Sequence, residues 1–131
     1  MQFLYRAATR TTFAHILGLV GILLVTGHAA AQEKQERRAT KAEYDGWRQY
    51  MVHCARCHGD DAVGGVMAPD LRGSVAKGRV DQSSFHVVVS KGKRDGGMPG
   101  FEGTLSDDQI HNIYAYVNAR AKGELAAGRP G

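Results

Sequence analysis

The residues best suited to chemistry in this 131-residue sequence lie together in the run Cys54-Ala55-Arg56-Cys57-His58. Two cysteines with this spacing lie near the same side of one helical turn, so both thiols could bond to the two vinyl groups along one edge of a haem. The adjacent His58 could then bind the haem iron from one side. The run therefore predicts covalent attachment of a c-type haem through Cys54 and Cys57, with His58 as an axial ligand of the iron.

Three other interpretations of the two cysteines are less well supported. A thioredoxin-like redox pair follows a strand in a βαβ unit, whereas the residues before Cys54 have the apolar spacing of a helix. A structural zinc site needs four ligands, and the sequence contains no second cysteine pair. A disulfide across two intervening residues would be strained and would leave His58 without a role. Covalent haem is the interpretation that uses all three side chains.

Residues 1–31 have the three parts of a secretory signal peptide. Arg6 and Arg10 give a positively charged start, an apolar run extends from 13 to 25, and a stretch of small residues ends at Ala31. Cleavage is expected after Ala31. The alternative is an uncleaved membrane anchor, but the apolar run is shorter than the ~20 residues that a spanning helix needs. The sequence therefore predicts export and a periplasmic location.

The predicted cleavage changes what the net charge implies. The full chain carries a formal charge of +4, which on its own would favour an acidic partner such as nucleic acid. Removal of residues 1–31 removes two arginines and no acidic residue, which leaves 100 residues with a charge of +2. No basic stripe interleaved with aromatic residues remains, so nucleic-acid binding is not expected. The mature chain is also expected to contain no membrane span.

Two amphipathic helices are predicted in the mature chain. Thr40 and Glu43 form a capping box before one set of apolar residues at helical spacing, and Ser106 and Gln109 form a second box before another set. Gly123 is placed to end the second helix. The apolar positions are Tyr44, Trp47, Met51 and Cys54 in the first helix and Ile110, Ile113, Tyr114, Val117 and Ala121 in the second.

The remaining parts of the mature chain have weaker patterns. Residues 59–103 are rich in glycine and are expected to be largely loop, apart from the segment 83–90. A valine run in that segment permits a strand, but Asp81 as a cap and Gly92 as a stop favour a short helix.

The domain organisation follows from these patterns. Residues 32–39 are charged and are predicted to form a flexible leader, because they contain no large apolar residue. Residues 40–123 are predicted to form the one folded domain. Residues 124–131 are predicted to form a loose C-terminal tail.

The sequence from Tyr44 to Ala121 resembles the class I c-type cytochromes. The resemblance rests on the helix that leads into the Cys-x-x-Cys-His run, on Ala68-Pro69-Asp70-Leu71, on Gly97-Met98-Pro99-Gly100-Phe101, and on the aromatic last helix. It implies an all-α, small cytochrome c fold in which the first and last helices cross. A short middle helix and glycine-rich loops would surround one covalently bound haem c.

The resemblance also implies particular contacts. The first and last helices would meet through Gly46 and Tyr50 on one side and Ile113 and Tyr116 on the other. The backbone carbonyl of Pro69 would accept a hydrogen bond from the imidazole of the iron ligand and so orient it.

Met98 is the residue that the resemblance implies as the second axial ligand. It follows two glycines and precedes Pro99, so a flexible approach and a rigid exit would present its thioether to the iron. The main alternative is His86, which would give two histidine ligands. Met67 would lie on the wrong side of the haem, Met51 is expected in the core, and His53 lies too close to the attachment run to reach around the ring.

Histidine and methionine ligation would fill both axial positions, so substrate could not reach the iron. The sequence therefore predicts not an enzyme but a periplasmic one-electron carrier that works through the edge of its haem. The Met-Pro-Gly-Phe stretch and the closing Gly-Arg-Pro resemble cytochromes that accept electrons from quinoprotein alcohol dehydrogenases. This resemblance implies such a dehydrogenase as donor and an oxidase or another cytochrome as acceptor, with the carrier a monomer.

Two alternative functions remain open from the sequence. The chain could be a permanent cytochrome subunit of a periplasmic oxidoreductase complex. It could also be a haem enzyme such as a peroxidase, which would require Met98 to be absent from the iron.

Overall fold

The computed structural model describes residues 36–131, and these residues fold into five α-helices and one turn of 3₁₀ helix. No strand is present in this part of the chain, so the all-α prediction is confirmed. The predicted signal peptide, residues 1–31, lies outside the described residues. The helices are α1 (Lys41–His53), α2 (Ala55–His58), α3 (Leu71–Ala76), α4 (Gln82–Lys91) and α5 (Asp107–Ala121), with the 3₁₀ turn at Arg94–Gly96.

The two long helices begin at the predicted capping boxes. The Thr40 hydroxyl accepts a hydrogen bond from the amide of Glu43, and the Glu43 carboxylate accepts one from the amide of Thr40, at 3.3 and 2.7 Å. Ser106 and Gln109 exchange the same two bonds at the start of α5. Each box satisfies two amides that the first turn of a helix leaves without a partner.

The short middle helix is also confirmed. Asp81 caps α4 through hydrogen bonds with Ser84, and Gly92 follows the last residue of the helix with a φ of 76°. Phe85 and Val89 face the core and are almost completely buried. The local caps therefore decide between helix and strand for a valine-rich segment whose composition allows both.

Helices α1 and α5 cross as expected, and their backbones lie very close together at Gly46. A Cβ atom on Gly46 would lie 1.9 Å from the carbonyl oxygen of Asn112 in α5. One turn further along α1, the ring of Tyr50 packs on that of Tyr116 with their centroids 5.3 Å apart. Ile113 lies in the same contact and is fully buried. Only a residue without a side chain allows the two backbones to meet this closely.

The segment 59–103 contains more helix than its glycine content suggests. In addition to α4, it contains α3, which begins where the Asp70 carboxylate accepts a hydrogen bond from the amide of Gly73 at 2.8 Å. Helix α3 packs against α5. Six residues are too few to show a helical period, so the sequence pattern does not reveal α3.

The prediction of a loose C-terminal tail is wrong. Leu125 is 1% exposed, and the amide of Ala39 donates to the carbonyl of Gly131 at 3.0 Å. The guanidinium of Arg129 lies over the rings of Tyr44 and Trp47 and donates to the Tyr44 hydroxyl. The compact unit thus extends beyond residue 123, because the tail binds residues of the first helix that are distant in sequence.

The leader also contacts the folded unit where the structure describes it. The guanidinium of Arg37 binds both oxygens of the Glu43 carboxylate at 2.7 and 2.8 Å and reaches Glu124 at 2.9 Å. The hydrogen bonds from Arg37 hold the pKa of Glu43 at about 2, well below its ordinary value of 4.5, although burial of the carboxylate opposes this shift. One arginine therefore joins the leader, the start of α1 and the start of the tail.

The approach at Gly46 makes a strong prediction for the haem-loaded protein. Gly46→Ala should lower the free energy of unfolding by about 2 kcal/mol, because the added Cβ would overlap the α5 backbone. Helix propensity alone would have the opposite effect, because it would raise the free energy of unfolding of the alanine variant by about 1 kcal/mol. Gly96→Ala is the control, since a Cβ there meets no atom within 4 Å. Equal stability of the two variants in denaturant titrations would contradict this packing.

The Glu43 ion pair predicts a dependence of stability on pH. Because the pKa of Glu43 is lower in the folded state, the ion pair stabilises the fold fully above about pH 4.5, and this contribution is lost as the pH falls towards about 2. In that interval the free energy of unfolding should fall more steeply for the natural chain than for Glu43→Gln. Glu36→Gln, at an exposed position of the leader, serves as the control and should keep the steeper slope. Identical slopes in all three proteins would rule out this role of Glu43.

Candidate haem-binding site

The Cys-x-x-Cys-His run lies where α1 ends and α2 begins. Cys54 leaves helical geometry after α1, and its carbonyl accepts hydrogen bonds from the amides of Cys57 at 3.1 Å and His58 at 3.0 Å. Cys54 is half-buried and Cys57 is exposed. This single tight turn brings the three side chains of the run together.

His58 is the most constrained side chain of the run. It is 8% exposed, and its Nδ1 atom lies 3.0 Å from the carbonyl oxygen of Pro69. A carbonyl can only accept, so Nδ1 carries the proton and Nε2 is left with the lone pair that a metal would need. This is the contact that the cytochrome resemblance implies.

Cys54 is the more buried of the two cysteines of the run. Burial raises the pKa of the Cys54 thiol to about 12, and the nearby Cys57 adds to this shift. Among the residues that the structure describes, no group of three His, Cys, Asp or Glu side chains could hold a metal ion.

The loop that follows His58 is held by two buried tyrosines. The Tyr50 hydroxyl donates to the carbonyl of Gly59 at 2.6 Å, and the Tyr116 hydroxyl donates to that of Asp60 at 3.4 Å. Burial raises the pKa of both phenols, which keeps them protonated as donors. The sequence predicts these tyrosines only as packing residues of the helix crossing, because their bonds to the loop leave no local pattern.

Met98 lies in a closed, glycine-rich turn after α4. Its amide and carbonyl both pair with the backbone of Lys93, at 3.1 and 3.0 Å, and Gly97 takes a φ of 76° between them. Gly92 and Gly100 pack backbone to backbone at the base of the turn, where a Cβ on Gly92 would lie 2.5 Å from the amide of Gly100. The Met98 side chain is half-buried against the core.

The alternative ligands have other contacts or are exposed. His86 pairs with Asp107 at 2.8 Å, and His111 contacts Gln82 at 2.9 Å, so both histidines join α4 to α5. Met67 is 76% exposed.

Met51 differs from the sequence prediction. It was expected in the core but is 36% exposed, because α1 turns this face away from α5. His53 packs edge-on against Phe101, with the ring centroids 5.8 Å apart.

The residues around the run fit a haem. They supply two cysteines on one turn, an imidazole with a free nitrogen and a half-buried thioether. Half-buried apolar side chains also pack against the core, and they include Trp47, Leu71, Val75, Val80 and Phe101. A mostly apolar lining with a few polar groups is typical of a cofactor site.

The comparison with protein families decides what this site is. A family model described as "Cytochrome C oxidase, cbb3-type, subunit III" matches residues 41–117, which include the attachment run and both long helices. The chain belongs to the c-type cytochromes. Members of this family bind haem c covalently and transport electrons, so this cytochrome carries a covalent haem c.

Relatives of this cytochrome include proteins named as cytochromes and a subunit of a dehydrogenase. Cytochrome c-553I of Paracoccus denitrificans is 39% identical over 68% of this chain and 42% of its own length. The dehydrogenase subunit of a quinone alcohol dehydrogenase from Gluconobacter oxydans is 38% identical over 59% of this chain and 10% of its own. The matched region thus spans about two fifths of the first relative and a tenth of the second.

Two further comparisons agree with the fold. Cytochrome c6 of Leptolyngbya boryana is 33% identical over 59% of this chain and 91% of its own length. The crystal structure of c-type cytochrome XoxG from Methylobacterium extorquens AM1 superposes with a TM-score of 0.63, at 32% identity over 70% of this chain and 57% of the other. The cytochrome fold is therefore supported by sequence and by structure.

Proposed function

We propose that this cytochrome is an exported one-electron carrier whose haem is bound through Cys54 and Cys57, with His58 and Met98 as the axial ligands. The observation that carries the proposal is the 3.0 Å contact from Nδ1 of His58 to the carbonyl of Pro69, within a Cys-x-x-Cys-His turn. It fixes the imidazole tautomer and orientation that iron ligation needs.

The arrangement of the other side chains supports Met98 as the second ligand. His86 is engaged by Asp107 on α5, and Met67 is largely exposed on the loop that leads to Pro69. Met98 is half-buried, and its turn is closed by backbone bonds on both sides. A thioether favours ferrous iron more than a second imidazole does, which raises the reduction potential.

The protein's own residues orient the cofactor and restrict access to it. The bound haem supplies the change between ferric and ferrous iron. His58 and Met98 would occupy both axial positions, and the half-buried apolar side chains would exclude water from most of the ring. The site then needs no acid, base or nucleophile, and a partner exchanges one electron through the exposed haem edge.

A quinoprotein alcohol dehydrogenase is the electron donor that the relatives favour. The cytochrome is similar to a portion of the dehydrogenase subunit of a quinone alcohol dehydrogenase, so a haem domain of this type works with that enzyme class. We infer that this cytochrome carries electrons from such a dehydrogenase to an oxidase or another cytochrome. Export to the periplasm would follow from the signal predicted at residues 1–31. Among the described residues, no helix is both long and apolar enough to cross a membrane.

The second candidate function is a permanent cytochrome subunit of an oxidoreductase complex. The family description, which names an oxidase subunit, and the match to a tenth of a dehydrogenase subunit favour this candidate. Gel filtration of the native periplasmic extract separates the two. A free carrier elutes near the mass of the chain, whereas a subunit elutes with its complex.

The ligand assignment predicts a specific spectroscopic outcome. The ferric protein should show a methionine–iron charge-transfer band, and the ferrous protein should bind little carbon monoxide. Met98→Ala should abolish the band and open the iron to carbon monoxide, because alanine supplies no ligand atom. Met67→Ala removes an exposed methionine and should leave both properties unchanged. A band that persists in Met98→Ala would refute the assignment, and its absence from the natural protein would favour His86.

A further inference from the structure

The loop after His58 is held from the far end of the chain. One oxygen of the Asp61 carboxylate forms an ion pair with the guanidinium of Arg120 at 3.1 Å and accepts a hydrogen bond from the amide of Gly128 at 2.8 Å. Arg120 is 4% exposed and also donates to the carbonyl of Leu125. Its Nε atom has no hydrogen-bond partner among the described residues, so Asp61 and Leu125 hold this buried guanidinium.

The next residue connects the loop to the acceptor of His58. Ala62 is fully buried and adopts a φ of 60°, a left-handed conformation that is unusual for a residue with a side chain. Its carbonyl accepts hydrogen bonds from the amides of Leu71 at 3.0 Å and Arg72 at 3.1 Å, which form the first turn of α3. Leu71 lies two residues after Pro69, so the position of Ala62 determines where the Pro69 carbonyl lies.

We propose that Asp61 is a positioning residue for the His58 imidazole, and that Arg120 and the C-terminal tail hold Asp61 in place. The route is continuous. Arg120 and Gly128 fix Asp61, Asp61 fixes Ala62, and Ala62 fixes the start of α3 and with it the Pro69 carbonyl. The proposal rests on the proposed function in one respect, namely that His58 binds the iron.

Through these contacts, the tail would tune the reduction potential of the cofactor. A hydrogen bond from Nδ1 makes a ligating imidazole more basic, which stabilises ferric iron and lowers the reduction potential. A displaced Pro69 carbonyl weakens that bond. Loss of the Asp61 contacts therefore raises the potential and exposes the Nδ1 proton to exchange.

The test compares two neighbouring carboxylates in the haem-loaded protein. Asp61→Asn and Asp60→Asn remove the same charge one residue apart, and Asp60 is exposed. In Asp61→Asn, proton NMR of the ferrous form should show the Nδ1 proton of His58 exchanging at least about fivefold faster. At a fixed solution potential, the ratio of ferrous to ferric protein should also be about threefold higher in Asp61→Asn than in Asp60→Asn.

A second variant separates position from charge. Arg120→Lys keeps the charge, but one ammonium cannot bind both Asp61 and Leu125 in the geometry of a guanidinium. It should accelerate exchange of the same proton and cleavage of the tail in limited proteolysis, although the net charge is unchanged. This variant also decides the question if Asp61→Asn does not fold.

The outcome that overturns the proposal is distinct from failure of the ligand assignment. Exchange of the His58 proton at the natural rate in the folded variants, with equal potentials for Asp61→Asn and Asp60→Asn, would show that Asp61 does not position the imidazole. Failure of His58 or Met98 as a ligand would instead be visible in the absorption spectrum of the natural protein.

Discussion

The contact between α1 and α5 at Gly46 is the constraint on which the rest of the structure depends. Because no side chain separates the two backbones there, Tyr50 and Tyr116 meet one turn later, and both hydroxyls reach the loop after His58. The same crossing places the end of α1, and thus the attachment run, beside the core. One close backbone contact therefore orients the turn on which the cofactor chemistry depends.

The parts of this fold that could be predicted from the sequence are those determined by residues close together in the chain. A capping box needs only Thr40 and Glu43, three positions apart, and the stop at Gly92 needs only a residue that tolerates positive φ. The attachment motif has the same character, because five consecutive residues contain its chemistry. Local interactions of this kind leave a sequence pattern that can be recognised without knowledge of the fold.

The parts that could not be predicted depend on contacts between distant residues. Arg37 meets Glu124 across 87 positions, and Gly128 meets Asp61 across 67. A short tail that contains glycine, proline and few large apolar residues is typical of a loose segment when it is considered alone. One signal was available, because Arg120 follows Ile113 and Val117 at helical spacing and so had to lie on the buried face of α5. A buried arginine needs an acidic or carbonyl partner, and Asp61 in the polar loop after His58 is such a partner.

The two sides of the proposed haem site are built differently, and this difference suits their ligands. On the His58 side, tyrosines of both long helices and the tail residue Gly128 hydrogen-bond to the loop that follows the histidine. On the Met98 side, the turn is closed mainly by its own backbone, through Lys93 and the packed glycines at its base. A region held by few contacts opens at lower free energy than one held by many. If Met98 is the second ligand as proposed, its weakly binding thioether would gain from a turn that is already closed. The Met98 turn is expected to open more readily than the turn that carries Cys54, Cys57 and His58.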